Sequence, residues 1–256
     1  LSSFRFGRSK YVIFNREVKL DRTIGNYFDK YKDEIILRAI STKAPGYLRG
    51  RVYENYQRGT WLVNDSQKNK LKLIKNEEVL IFNTFLINTG NESKNARIDI
   101  LPAKKYINEV LFLPGNTNTI DISAGSLTIN TAGTVFPEEW DMKTGYTVYM
   151  PDIENYSVYQ NPVDPNASLL FVPYDLNRKL DEFIDTIMKN RASNKFYNDI
   201  QLVKCIESYL LSYFKYEILE NPVEKGKEPI ISFFERQTGH CELFASATVM
   251  LLRRCG

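Results

Sequence analysis

Apolar and polar residues alternate with two different periods along this chain, and the period changes near residue 150. Before that point apolar residues recur every second position in short runs separated by turn residues, the pattern of half-buried strands. EIILRAI at 34–40 is followed by the turn residues Ala44, Pro45 and Gly46. In YLRGRVYENYQRGTWLV, 47–63, Tyr47, Arg49, Arg51 and Tyr53 alternate with Leu48, Gly50, Val52 and Glu54, and Gly59 predicts a hairpin or a bulged strand. EVLIFNTFLI (78–87), ARIDILPA (96–103) and NEVLFLPG (108–115) read as further strands, separated by the turn at 88–91 and by Pro114-Gly115. TIDISAGSLTIN (119–130) and GYTVYMP (145–151) complete the set. Strands this short and this closely spaced predict a sandwich or barrel, not a β-α-β sheet.

After Tyr149 the alternation stops. MPDIENYSVYQNPVDPNAS holds three prolines and reads as a linker. Helical spacing then takes over: Leu176, Leu180, Phe183, Ile184 and Ile187 follow Pro173, with Asp175 placed to cap. Leu202, Val203, Ile206, Leu210 and Tyr213 predict a second apolar stripe, EPIISFFER (228–236) a short helix, and 241–254 a last one. The predicted class is therefore α+β: a β-rich domain over 1–150, a linker over 151–172 and a helical region over 173–256.

Composition removes several function classes. Of 256 residues, 43% are apolar and 25% charged, which a folded globular chain requires. The net charge of +3 is spread along the chain, and no basic stretch interleaved with aromatics points to nucleic acid. Cys205, Cys241 and Cys255 form no CxxC and are odd in number, so a disulfide framework is not expected. His240 is the only histidine, so no zinc site and no other metal or cofactor is expected. The uncharged run 243–252 is too short to span a bilayer. The chain begins at Leu1 without an initiating methionine, and it reads as a piece of a longer protein.

The chemistry concentrates in RQTGHCELFASATVMLLRRCG. Gly239 permits an unusual backbone angle or a close approach just before a helix. Cys241 then falls in the first helical turn, where free N–H groups and the helix dipole favour a thiolate. Its own N–H points to where an oxyanion would form beside the sulfur. A small apolar side chain buried at a helix start reads from the same residues. His240 is no partner for Cys241, because neighbours diverge by about 100° on a helix and oppose each other on a strand. It reads as a surface or packing residue. Glu242 reads as a partner of the helix dipole, Cys205 as inert on an apolar helix face, and Tyr56 and Trp61 as packing in the β-rich domain.

GHCELFASATVMLLRRCG resembles the nucleophile segment of the transglutaminase-like superfamily, G-x-C-x-x-F-A followed by a helix ending LLR-x-x-G. Gly239, Cys241, Phe244, Ala245, Ala247, Leu251, Leu252, Arg253 and Gly256 match. EPIISFFERQTG and YLLSYFKYEI resemble the family's preceding segments. YLRGRVYENYQRGTW and VLFLPG are similar to the β-rich segment before this domain in bacterial multipass membrane proteins. The resemblance implies a papain-like core with a Cys, His, Asp triad in which Cys241 is the nucleophile, forming an acyl-enzyme on a glutamine amide or peptide carbonyl. It implies a protein or peptide substrate and an extracytoplasmic location, with any membrane anchor in other parts of the parent. The family's His and Asp lie on strands after the nucleophile helix and map onto no residue here, so the stretch by itself is expected to be inactive. Tyr216 sits where some relatives place a polar group near the cysteine; a half-buried structural tyrosine is the plainer reading. With the companion sheet missing, apolar surface on the nucleophile helix is expected to permit dimerisation. The reading from another class is a non-catalytic cell-envelope binding or scaffold module.

Overall fold

The computed structural model describes residues 11–12, 15–22, 33–42, 44–77, 82–87, 96–103, 106–107, 109–141, 144–151, 169–189 and 199–256. The turn expected at 88–91, the first residues of the strands expected from 78 and 108, and most of the linker expected over 151–172 lie outside them. The fold is α+β and forms two compact units: 1–16, 34–52 and 63–161 in one, and 17–33, 53–62 and 162–256 in the other.

The first unit is built on a six-stranded antiparallel sheet, in the order 37–41, 96–102, 146–150, 119–122, 82–86 and 72–77. Strict alternation decides its faces. Ile98, Ile100, Ile120, Ile122, Val148 and Met150 point into a core that they share with Leu127 and Val135 of a second, three-stranded sheet (135–138, 126–130 and 68–70). Thr147 on the opposite face donates to Asp99 at 2.7 Å, and Thr84 to Asp121 at 2.7 Å. Two sheets closing one apolar core form a sandwich. The β stretch expected over 119–130 forms two strands that belong to different sheets, turning at Ser123–Gly125. Arg51 is buried in this unit and held by Asp65 at 2.9 Å and Glu109 at 3.0 Å, which pairs its buried charge with carboxylates, although its Nε has no hydrogen-bond partner among the described residues.

Among the described residues the second unit combines four helices with a small sheet. Helix α1 spans Tyr174–Lys189, α2 Asp199–Tyr213, α3 Pro229–Arg236 and α4 Cys241–Cys255. Asp175 lies inside the first turn of α1, which starts two residues earlier than a cap at Asp175 requires. On α2 the buried stripe is rotated from the expected one. Ile206 and Leu210 are buried, with Leu202, Cys205 and Tyr209 packed beside them, whereas Val203 and Tyr213 are exposed. Helix α3 begins at Pro229, whose missing N–H costs nothing at that position. Glu228 caps it by accepting from the Ile231 N–H at 2.9 Å.

The sheet of this unit comes from far upstream. Strands 55–57 and 60–62 form a hairpin, and 17–19 pairs with 60–62. Arg58 and Gly59 both have positive φ, 45° and 77°, the two-residue turn whose twist suits a hairpin. Gly59 is required twice over, since a Cβ there would meet the Pro229 ring at 2.7 Å. Tyr56 and Trp61, opposite each other on the hairpin with ring centroids 4.9 Å apart, are buried in the core of the helices. This corrects their expected place in the β-rich domain. A period-two pattern marks a strand, but only tertiary packing determines which helices that strand covers.

Candidate active site

Helix α4 is packed by α1, α2 and α3. Leu243, Ser246, Ala247, Met250 and Leu251 form its inner face. Small side chains at 246 and 247 allow the close approach. The Trp61 indole N–H donates to the Ser246 hydroxyl at 2.8 Å in the buried interface. At the far end Arg253 lies over the Trp61 ring at 5.2 Å and donates to the carbonyl oxygens of Glu54 at 2.8 Å and Phe171 at 3.2 Å. Arg254 grips Asp181 of α1 with two hydrogen bonds, at 2.8 and 2.9 Å, which holds that carboxyl below its usual range. The apolar surface expected on this helix is reduced to Val249, while α2 exposes Ile200, Val203 and Leu211.

Cys241 is the first residue of α4 and its thiol is exposed. The approach to it is a short parallel bridge in which Lys215 and Tyr216 pair with Thr238 and Gly239. The Lys215 N–H donates to the Gln237 carbonyl at 2.8 Å, and the Glu217 N–H to the Gly239 carbonyl at 2.9 Å. Gln237 takes the left-handed conformation to end α3, so that only one short turn separates α3 from the bridge. Gly239 has an ordinary backbone angle; its lack of a side chain matters for space. A Cβ there would lie 2.8 Å from the Phe233 ring and 2.9 Å from Leu243. Of the two roles open to this glycine in the sequence, close approach is the one observed.

The bridge carries Tyr216 to the cysteine. Its phenol hydrogen-bonds both the Cys241 thiol and the Cys241 backbone. Burial first, then the neighbouring thiol, raise the pKa of this hydroxyl, which keeps it protonated and able to donate. Beneath the pair lies an aromatic floor: Phe244 is 6.3 Å from Tyr216 and 4.9 Å from Phe233, and Phe214 is 4.9 Å from Phe233. The plain reading of Tyr216 as structural therefore gives way to a polar group in direct contact with the thiol.

His240 is fully buried, and neither ring nitrogen has a hydrogen-bond partner among the described residues. It is a packing residue and does not reach Cys241. Burial lowers its pKa, with Glu242 acting against that and Arg22 with it. Glu242 lies in the first turn and accepts from Arg22 at 2.6 Å, so the dipole partner is itself neutralised. Arg22 has no signal in the sequence, because its contact spans most of the chain. Cys205 is half-buried against the core and Cys255 is exposed. Among the described residues no group of His, Cys, Asp and Glu could hold a metal ion, and no helix is long and apolar enough to cross a membrane.

Residues 187–256 match the family model described as the transglutaminase-like superfamily. Among curated proteins none matches the chain. Among solved structures it is similar to the periplasmic domain of TgpA from Pseudomonas aeruginosa, in a crystal structure bound to ethylmercury. The likeness has a TM-score of 0.55 at 13% sequence identity and covers 95% of this chain and 79% of that one. At that identity it shows a shared fold.

Proposed function

Because residues 187–256 are transglutaminase-like, we propose that Cys241 is the nucleophile of a cysteine enzyme that acts on protein or peptide amides through an acyl-enzyme. One observation carries the reading: an exposed thiol at a helix start whose sulfur and backbone N–H are both met by the Tyr216 hydroxyl. The thiolate attacks the amide carbonyl carbon and the carbonyl π pair moves onto oxygen. The Cys241 N–H and the Tyr216 O–H then donate to that oxyanion. Collapse breaks the C–N bond as the leaving nitrogen takes a proton, and an amine or water later releases the acyl group. Amine attack gives crosslinking, and water gives deamidation or proteolysis.

The proton step needs a base that these residues do not supply. His240 is the sole imidazole and is sealed away from the sulfur. Residues 1–256 by themselves thus provide the nucleophile and the oxyanion donors, and isolated they are inactive under this proposal. The similar structure is of a periplasmic domain, which supports an extracytoplasmic place in a bacterium for this chain also.

The test is thiol labelling of the chain with iodoacetamide near neutral pH, mapped residue by residue. Cys241 should react at least about tenfold faster than Cys205, because it is exposed at a helix start whereas Cys205 is half-buried against the core. Equal and slow labelling of Cys241 and Cys205 would count against an activated thiol and favour the non-catalytic envelope module.

A further inference from the structure

The one histidine lies at the structural start of the nucleophile helix, and the mechanism above makes no use of it. Its imidazole has no solvent exposure and no hydrogen bond on either nitrogen among the described residues. Its backbone does the opposite. The His240 carbonyl accepts from the N–H groups of Leu243 at 3.0 Å and Phe244 at 3.2 Å, so this residue ties down the first turn of α4. The same turn carries Cys241.

The surroundings accommodate a neutral ring and offer little to a charged one. An imidazolium has two N–H donors, and burying it without acceptors is strongly unfavourable. Among the described residues the facing charges are Glu242, on the same helix, and Arg22, from the upstream segment. Arg22 repels an imidazolium and holds one oxygen of Glu242 at 2.6 Å, while the other, Oε2, is buried and bonded neither to Arg22 nor to the ring. Across the bridge, Lys215 and Glu217 pair with each other at 3.0 Å, and Tyr216 is engaged with Cys241. None of these groups hydrogen-bonds the ring.

We infer that His240 is an acid-sensitive latch on the nucleophile: protonation of its buried ring expels it, releases the first turn of α4 and separates Cys241 from Tyr216. The inference rests on Cys241 being the nucleophile only for its consequence in activity; the latch itself is a property of the fold. The sign follows from linkage. Burial holds the imidazole pKa below its ordinary value of about 6.5, so the released state binds the proton more tightly. Below about pH 6.5 the latched state loses roughly tenfold in population ratio per pH unit until the folded value is reached.

A lone histidine makes the experiment clean. In the full chain with labelled histidine, NMR should show one imidazole titrating well below about 6.5. The Cys241 amide resonance should shift with the same midpoint. Iodoacetamide labelling of Cys241 should fall with acid more steeply than the thiolate fraction alone dictates, by up to about tenfold more per pH unit. His240→Leu should remove that excess, and Arg22→Gln, by deleting the repelling cation, should move the midpoint upward. An imidazole midpoint at or above about 6.5, a Cys241 amide that ignores it, or a wild-type labelling profile no steeper than that of His240→Leu overturns the latch. If His240→Leu does not fold, the imidazole midpoint and the Arg22→Gln shift decide. Slow labelling of Cys241 together with a low, shared NMR midpoint would refute the enzyme and leave the latch standing.

Discussion

Two atoms of Cys241, its sulfur and its amide nitrogen, are both engaged by one phenol, and this gives the Tyr216 hydroxyl a role distinct from that of its ring. Tyr216→Phe keeps the aromatic contact with Phe244 and removes the donor. Under the proposed function, with a base supplied, it should cut kcat by about 10²- to 10³-fold, the usual effect of losing one oxyanion donor. The melting temperature should stay nearly unchanged, because the side chain is more than half exposed. Gly239→Ala should behave in the opposite way. Its Cβ would overlap Phe233 and Leu243, so thermal unfolding should show a loss of about 1–3 kcal/mol. At this scale the sequence is informative where chemistry is local. Cys241, Gly239 and Tyr216 all lie within the motif or just upstream, and each is legible as a candidate. Arg22 and Trp61 are not, because nothing near them in the chain predicts a contact with Glu242 or Ser246.

Among the elements, legibility follows the pattern of burial. Strands buried on one face, such as 96–102 and 146–150, alternate cleanly and are readable. The strands 68–70 and 72–77 escape a sequence reading because they are rich in lysine, and 68–70 is exposed at every position. Lysine along a sheet margin discourages pairing with other chains, and it also erases the apolar signal. The stripe on α2 misleads in another way, since Val203 and Tyr213 have the right chemistry but face outward. The hairpin 55–62 is the element on which most depends. Trp61→Ala removes a buried ring, the donor to Ser246 and the surface under Arg253. Chemical denaturation should register about 3–5 kcal/mol. Trp61→Phe, which gives up mainly the hydrogen bond, should cost about 1 kcal/mol.

At the scale of the whole molecule, the β-rich and helical regions do not correspond to the first and last parts of the chain. Residues 17–33 and 53–62 belong to the same compact unit as the four helices. A polypeptide of residues 162–256 alone therefore lacks Tyr56, Trp61, Leu20 and Arg22. It should melt without a cooperative transition by circular dichroism, whereas the full chain should show one for this unit. A sharp, full-amplitude melt of the short piece would show that the upstream strands are dispensable. The α+β class is legible because the change of hydrophobic period is a bulk property of the sequence. The interleaving of the two units is not, since it depends on pairings that no local pattern encodes.

The hydrogen bond from Trp61 to Ser246 joins residues 185 positions apart. On the ribosome, at about 5–20 residues per second, the hairpin emerges roughly 10–40 seconds before the helix that covers it. During that interval Tyr56 and Trp61 present an aromatic face with nothing to bury it, and any chaperone attending synthesis would find its binding site there.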